Sequence, residues 1–292
     1  DLRRGGRQQG NMTSDSGRPS GESPRQSHGQ SHGQSIIGDC AAAFLLLSRI
    51  PVTWHRFPDD RPPNFTSALW AFPLVGLVVG AAVGVVLLAT SSLGLPPLVA
   101  SVLALVVMAL LTGAMHEDGL ADMADGFGGG RDTDSIMRIM HDSRIGAYGV
   151  LALILATALR LSLLALCIET LSGWHLVGLI ALTGAASRFQ PVLQLAIFPL
   201  SQHASLAALT GRPGAGRLTA ALALWLPTMI WLFGTVSAAA IILPACALSL
   251  WIGQVATRKV GGLTGDVMGA TTIIAELTML MCWASLGAML PA

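Results

Sequence analysis

A chain of 292 residues with 52% hydrophobic and only 11% charged residues, and a mean hydropathy of +0.64, has too few charges to coat a soluble domain of its size. The composition therefore excludes an ordinary water-solvated globule. The net charge of +1, from 17 basic and 16 acidic residues, gives no reason to expect a nucleic-acid partner, because the charges are confined to the N-terminal tail and certain loops.

Residues 1–35 are rich in Gly, Ser, Gln and Arg, contain the repeat SHGQSHGQ from Ser27 to Gln34, and hold no apolar run long enough for a signal-peptide core. They are expected to form a disordered polar tail, with 36–292 as a single transmembrane catalytic domain. The sequence opens on Asp1 rather than methionine, which leaves its natural start open. His28 and His32 lie in low-complexity sequence without a thiol or carboxylate partner and are read as inert. Cys40, Cys167, Cys246 and Cys282 each sit in an apolar run, far apart, and read as small core residues rather than metal ligands or disulfides.

A bilayer core about 30 Å thick needs about 20 apolar helical residues. About seven windows meet this, near 68–92, 95–115, 148–169, 175–198, 218–234, 236–255 and 271–290. The fold class is all-α, a polytopic transmembrane bundle. The apolar stretch Ile36–Ile50 is too short to span and is expected to be an interfacial or re-entrant helix. The fifth and sixth spans must share about forty residues around a tight turn at Gly234. Alternate threading puts Arg49, Arg56, Arg61, Arg131, Arg138, Arg144, Arg212, Arg217, Arg258 and Lys259 on one side, while the opposite loops have no Lys or Arg. By the positive-inside pattern that side is cytoplasmic, so the chemistry is expected there, in the loops at 116–147, 199–217 and 256–270.

The most informative segment is His116-Glu117-Asp118-Gly119-Leu120-Ala121-Asp122-Met123-Ala124-Asp125-Gly126. Asp118, Asp122 and Asp125 recur at i, i+4 and i+7, so on a helix they share one face. Unneutralised carboxylates at that spacing repel, and Mg²⁺, which takes carboxylate oxygens with water and substrate phosphate, removes the conflict. The competing reading is a solvated acidic loop beside a membrane helix. Further on, in His141-Asp142-Ser143-Arg144-Ile145-Gly146, Asp142 extends the cluster and Arg144 offers a planar fork to phosphate oxygens. A polar helix cap with a snorkelling arginine is the alternative there. The third segment, Gly261-Gly262-Leu263-Thr264-Gly265-Asp266, can bring backbone N–H groups to a phosphate and reach a second metal ion through Asp266, or it is a plain turn. Lys259 and Arg258 flank it. Arg160 and Arg188 fall inside predicted spans, where each costs about 2.5–3.5 kcal/mol to insert. They should face the bundle interior, with Glu276 as a partner. They line a polar cavity and contact diphosphate, or they form an internal ion pair that fixes packing.

Together with Ser48-Arg49-Ile50-Pro51, Phe72-Pro73-Leu74-Val75-Gly76, Ser187-Arg188 and Glu276-Leu277, these segments resemble the cobalamin synthase family, the adenosylcobinamide-GDP ribazoletransferases. The resemblance covers about residues 36–290. It implies a transferase of the bacterial inner membrane that joins adenosylcobinamide-GDP to α-ribazole or its 5'-phosphate and releases GMP, with Mg²⁺ as cofactor. Carried onto this chain, it implies Asp118, Asp122, Asp125, Asp142 and Asp266 as metal ligands. His116, Asp142 and Arg144 are then the catalytic residues, and Arg131, Arg188, Lys259, Gly262, Thr264 and Gly265 the substrate-binding ones. Membrane lipid is a partner. A homo-oligomer or a pathway partner protein is compatible with the sequence, but no residue identifies one. Two positions depart from the family pattern: Glu117 is acidic where the family is apolar, and His141 stands where Arg or Lys is usual. The rival readings are a CDP-alcohol phosphotransferase, a prenyl-diphosphate transferase and a secondary transporter. The aspartate spacing differs from that of the first two, and the third would place its carboxylates at midspan.

Overall fold

The computed structural model describes residues 34–57, 63–202 and 210–287. The expected tail lies outside the described residues except for Gln34 and Ser35, as do His28, His32 and Arg61. Every regular element among the described residues is a helix, as hydrocarbon demands, because there each backbone N–H and C=O must be satisfied within its own segment.

Helix α1, Ile36–Leu47, opens on Ser35, whose hydroxyl accepts from the Gly38 amide at 3.1 Å. Its 12 residues rise only about 18 Å. Asp39 in its first turn is buried and accepts from Ser67 Oγ at 2.5 Å and Trp70 Nε1 at 2.9 Å, which clasps α1 to the next segment. That segment, Phe65–Ser92, is an apolar run of 28 residues built from α2 (Phe65–Ala68), a 3-10 turn (Leu69–Ala71) and α3 (Phe72–Ser92).

Along α3, Gly76, Gly80 and Gly84 recur every four residues against α8, Gly173–Ile197. A Cβ at Gly80 would lie 2.5 Å from the Ile180 carbonyl oxygen, and one at Gly84 would lie 2.8 Å from the Val177 Cα. Small residues at this spacing let two membrane helices approach backbone to backbone. Helix α8 is the central one, with 89% of its apolar window buried, against 22% for α7, Ala147–Thr170. The exposed Leu151, Ile154 and Leu155 of α7 form the kind of face a membrane helix turns to lipid.

Helix α4, Pro97–Thr112, meets α5, Met115–Gly129, at a bend of 89°. Gly113 (φ 67°) and Ala114 (φ 56°) both adopt the left-handed conformation there, and the alanine does so at a cost of about 1–2 kcal/mol. Helix α5 therefore turns off the axis of α4, and its residues 117 to 125 face α7 from Arg160 back to Gly146 and Gly149. It leads into α6, Thr133–Met140, an amphipathic helix with a capping box between Asp132 and Ser135.

Helices α9 (Ala215–Ala223) and α10 (Leu226–Phe233) make one broken span, α11 (Thr235–Val260) returns after Gly234 (φ 77°), and α12 (Gly265–Gly287) closes the bundle. Among the described residues six helices are long and apolar enough to cross a membrane, and seven if the bent α4–α5 pair is one span. This agrees with the sequence reading, including the tight turn at Gly234. The connection between the last two spans is shorter than expected: α11 runs to Val260 rather than near 255, and the last span starts at Gly265 rather than near 271. Thr264 caps it, its Oγ1 accepting from the Val267 amide at 3.3 Å, so Asp266 sits in the first turn of a helix and not in a loop. The loops expected on one side do meet there. Leu200 and Leu263 form a parallel bridge, and Thr133 Oγ1 donates to the Lys259 carbonyl at 2.8 Å.

Candidate active site

Helices α5 and α12 touch through glycine. A Cβ at Gly119 would come 2.9 Å from the Asp266 carbonyl oxygen, and one at Gly269 would come 3.5 Å from the His116 Cα. This close approach turns Asp118 and Asp122 of α5 and Asp266 of α12 onto one cavity of about 370 Å³, lined also by His116, His141, Arg188, Thr210, Thr264 and Gly265. The rest of the lining is apolar apart from Thr272, with Leu46 and Leu47 from α1, Phe72 from α3, and Met115, Met140, Pro191 and Met268. An apolar cleft with a few convergent polar groups is the usual form of a small-molecule site.

Carboxylates sharing a cavity disfavour one another's ionisation. Burial pushes the Asp122 carboxyl up to about 6, and Asp118, Asp266 and Asp125 add to the shift. His116 is buried and its pKa is driven well below the usual histidine range, first by burial and then by the positive charges of Arg188 and Arg160. Its imidazole is therefore neutral at pH 7, and its Nδ1 has no hydrogen-bond partner among the described residues.

Among the described residues no group of three or more His, Cys, Asp or Glu side chains is arranged to hold a metal ion as it stands. The donors that suit a hard divalent cation are Asp118, Asp122 and Asp266, whose mutual repulsion registers at Asp122. Mg²⁺ needs only one or two carboxylates when water and substrate phosphate complete its shell, so the residues present fit it.

Other residues named from the sequence lie elsewhere. Asp125 caps α7: its Oδ2 accepts from the Gly146 amide at 2.7 Å and its Oδ1 from the Gly149 amide at 2.9 Å. Asp142 pairs with Arg144 at 2.8 Å on the exposed loop beside His141, and the Arg144 guanidinium hydrogen bonds hold the Asp142 carboxyl down to about 2. Lys259 donates to the Phe127 carbonyl at 3.2 Å, with its ammonium 5.4 Å from the Phe127 ring centroid, and so tethers the C-terminal end of α5. Gly262 lets the Pro199–Ser201 segment pass, since a Cβ there would be 2.5 Å from the Pro199 carbonyl oxygen. Arg131 is exposed, and its amide donates to Ser135 Oγ.

Two residues the sequence reading left without a role enter the site region. His141 lines the cavity, and its position directly before Asp142 was the available signal. Glu117 meets Arg160 at 3.1 Å, a pairing across 43 positions that no local pattern reveals.

Fold and cavity together define the class: a polytopic membrane protein with a carboxylate-lined, arginine-backed cavity at one end of its bundle. A family model described as cobalamin-5-phosphate synthase matches residues 39–284. The adenosylcobinamide-GDP ribazoletransferase of Azorhizobium caulinodans is 38% identical over 251 residues, which is 84% of this chain and 95% of the relative. Proteins of the same name from Bradyrhizobium diazoefficiens and Rhizobium meliloti are 35% and 37% identical, over 85% and 83% of the chain and 93% and 94% of their own lengths. No solved structure matches the chain. The chain belongs to the cobalamin-5-phosphate synthase family, and it is a transferase of cobalamin biosynthesis.

Proposed function

We propose that this protein joins adenosylcobinamide-GDP to α-ribazole or its 5'-phosphate by Mg²⁺-dependent phosphoryl transfer, releasing GMP, at the cytoplasmic face of the bacterial inner membrane. The observation that carries this reading is the convergence of Asp118, Asp122 and Asp266 with Arg188 on one cavity, in a chain whose relatives bear the ribazoletransferase name. The ribazole hydroxyl attacks the phosphorus on the cobinamide side of the diphosphate. A new P–O bond forms, the bond from that phosphorus to the bridging oxygen breaks, and GMP leaves with the bridging oxygen.

Such transfer depends on positioning and on neutralising charge at the phosphoryl oxygens. Asp118, Asp122 and Asp266 would hold the Mg²⁺ ion, which neutralises diphosphate charge when bound. Arg188 meets the diphosphate from the cavity lining; Arg144, paired to Asp142 outside that lining, would meet only the part of the substrate that projects from it. His116 accepts the hydroxyl proton, its imidazole kept neutral by burial beside two arginines. A cavity of about 370 Å³ takes a nucleotide-sized group and not a corrin ring, so the diphosphate end enters while the macrocycle stays outside. The arginines on the α5–α6 side support a cytoplasmic orientation.

The test is to give detergent-purified protein adenosylcobinamide-GDP with either form of ribazole and to follow GMP and corrinoid product. Stoichiometric GMP and cobalamin or its 5'-phosphate, abolished by EDTA and restored by Mg²⁺, is the expected result, and the ratio of kcat/KM values identifies the preferred ribazole. Folded protein that makes neither product would overturn the reading.

A further inference from the structure

The transfer reading uses Arg188 but not the buried charges packed against it. Arg160 in α7, Arg188 in α8 and Glu276 in α12 are 4%, 5% and 8% exposed, deep in a bundle where each charge is costly unless paired. Glu276 divides its carboxylate between the two arginines. Its Oε1 lies 3.1 Å from Arg160 Nε, and its Oε2 lies 3.5 Å from both Arg160 Nη2 and Arg188 Nη1. Arg160 is held from the other end as well, by Glu117 Oε1 at 3.1 Å from its Nη1.

Arg188 is held differently. Its bonds to protein both run through Nη1, to Glu276 and to Ser187 Oγ at 3.0 Å, and its other N–H groups have no protein partner among the described residues. Of the residues lining the site cavity, only Arg188 also lines a second, small void of about 10 Å³ that it shares with Arg160, Glu276 and Thr183. Its guanidinium thus stands between the ion network and the site.

We infer that Glu276, anchored by Arg160, is a positioning residue that holds the Arg188 guanidinium where it meets the substrate's diphosphate. With Glu276 neutral, the remaining carboxylate that acts on Arg188 is Glu117, which Arg160 already holds. The guanidinium then loses the contact that fixes it on the network side and no longer holds its place for the substrate. Glu117 extends the same control to α5, because the residue that anchors Arg160 directly precedes Asp118. The identity of the diphosphate rests on the ribazole-transfer reading; the placement of Arg188 does not.

The test compares wild type with Glu276→Gln, Glu276→Asp and the double variant Arg160→Met/Glu276→Met. The double variant removes one charge of each sign with side chains of similar volume and leaves Glu117 and Arg188, themselves of opposite charge, so the network keeps its net charge. Steady-state KM and kcat for adenosylcobinamide-GDP, calorimetric binding of inorganic pyrophosphate and thermal unfolding are measured on each. The inference expects the double variant to stay folded, yet to lose kcat/KM by on the order of 10²-fold, chiefly through KM, with pyrophosphate affinity falling in parallel. Glu276→Asp keeps a carboxylate and recovers part of the loss that Glu276→Gln shows. A folded double variant with wild-type KM and pyrophosphate affinity would overturn the inference and leave the transfer reading intact. A wild-type protein that binds pyrophosphate but releases no GMP would sink the transfer reading, and the pyrophosphate comparison would still decide the inference.

Discussion

At Asp122 the cost of the site is visible in a single group. Its carboxyl titrates near 6 instead of the ordinary 3.8, so the folded protein binds that proton more tightly than the unfolded chain. The stabilising effect of the proton is complete below about pH 3.8 and is lost as pH rises through about 6. Asp122→Asn, which mimics the protonated state, should therefore raise the melting temperature of metal-free protein at pH 7.5 and leave it unchanged below pH 3.8; no gain at pH 7.5 would contradict the crowding of Asp118, Asp122 and Asp266. His116 carries a different expectation. As the proton acceptor its change to Gln should lower kcat by about 10²-fold or more with little effect on KM, and a variant with full kcat would remove it from the mechanism. Asp118 and Asp122 were legible in the sequence because i, i+4 spacing on a helix puts them on one face. Asp125 shares that spacing but is drawn to the Gly146 and Gly149 amides of α7, a contact across 21 and 24 positions that periodicity does not encode.

The helices show which features pattern alone can fix. Hydropathy located the spans, since a bilayer sets their length, and it placed the turn at Gly234. It did not show the 89° bend between α4 and α5, because the deciding residues, Gly113 and Ala114, look like any small pair until their left-handed conformation is known. Nor did it show that Lys259, expected to bind substrate, spends its ammonium on the Phe127 carbonyl and ring. Two variants test the geometry of α5. Gly119→Val places a branched side chain against the Asp266 backbone, where even a Cβ would be at 2.9 Å. It should abolish GMP release while the purified protein keeps its helical circular dichroism. Asp125→Ala removes the cap of α7 and should cost about 1–2 kcal/mol, read as a lower melting temperature; an unchanged melting temperature would leave the cap without energetic weight.

For the molecule as a whole, the account places the α5–α6 side, with Arg131, Arg138 and Arg144, in the cytoplasm. A cysteine introduced at Arg131 in a background with the native cysteines replaced should react with a membrane-impermeant maleimide in inverted vesicles and not in intact spheroplasts, and the reverse pattern would overturn the orientation. The bundle and the acidic segment could be read from the sequence because membrane length and helical periodicity are one-dimensional rules. The cavity could not, since it is made by glycine contacts between α5 and α12 and by Arg188 arriving from α8. The most direct test of the central claim, that this cavity performs metal-assisted transfer, is GMP release by wild-type and Asp122→Ala protein of equal fold, each assayed in Mg²⁺ and in EDTA. The account predicts release from wild type in Mg²⁺ alone; release that persists in Asp122→Ala, or in EDTA, would contradict it.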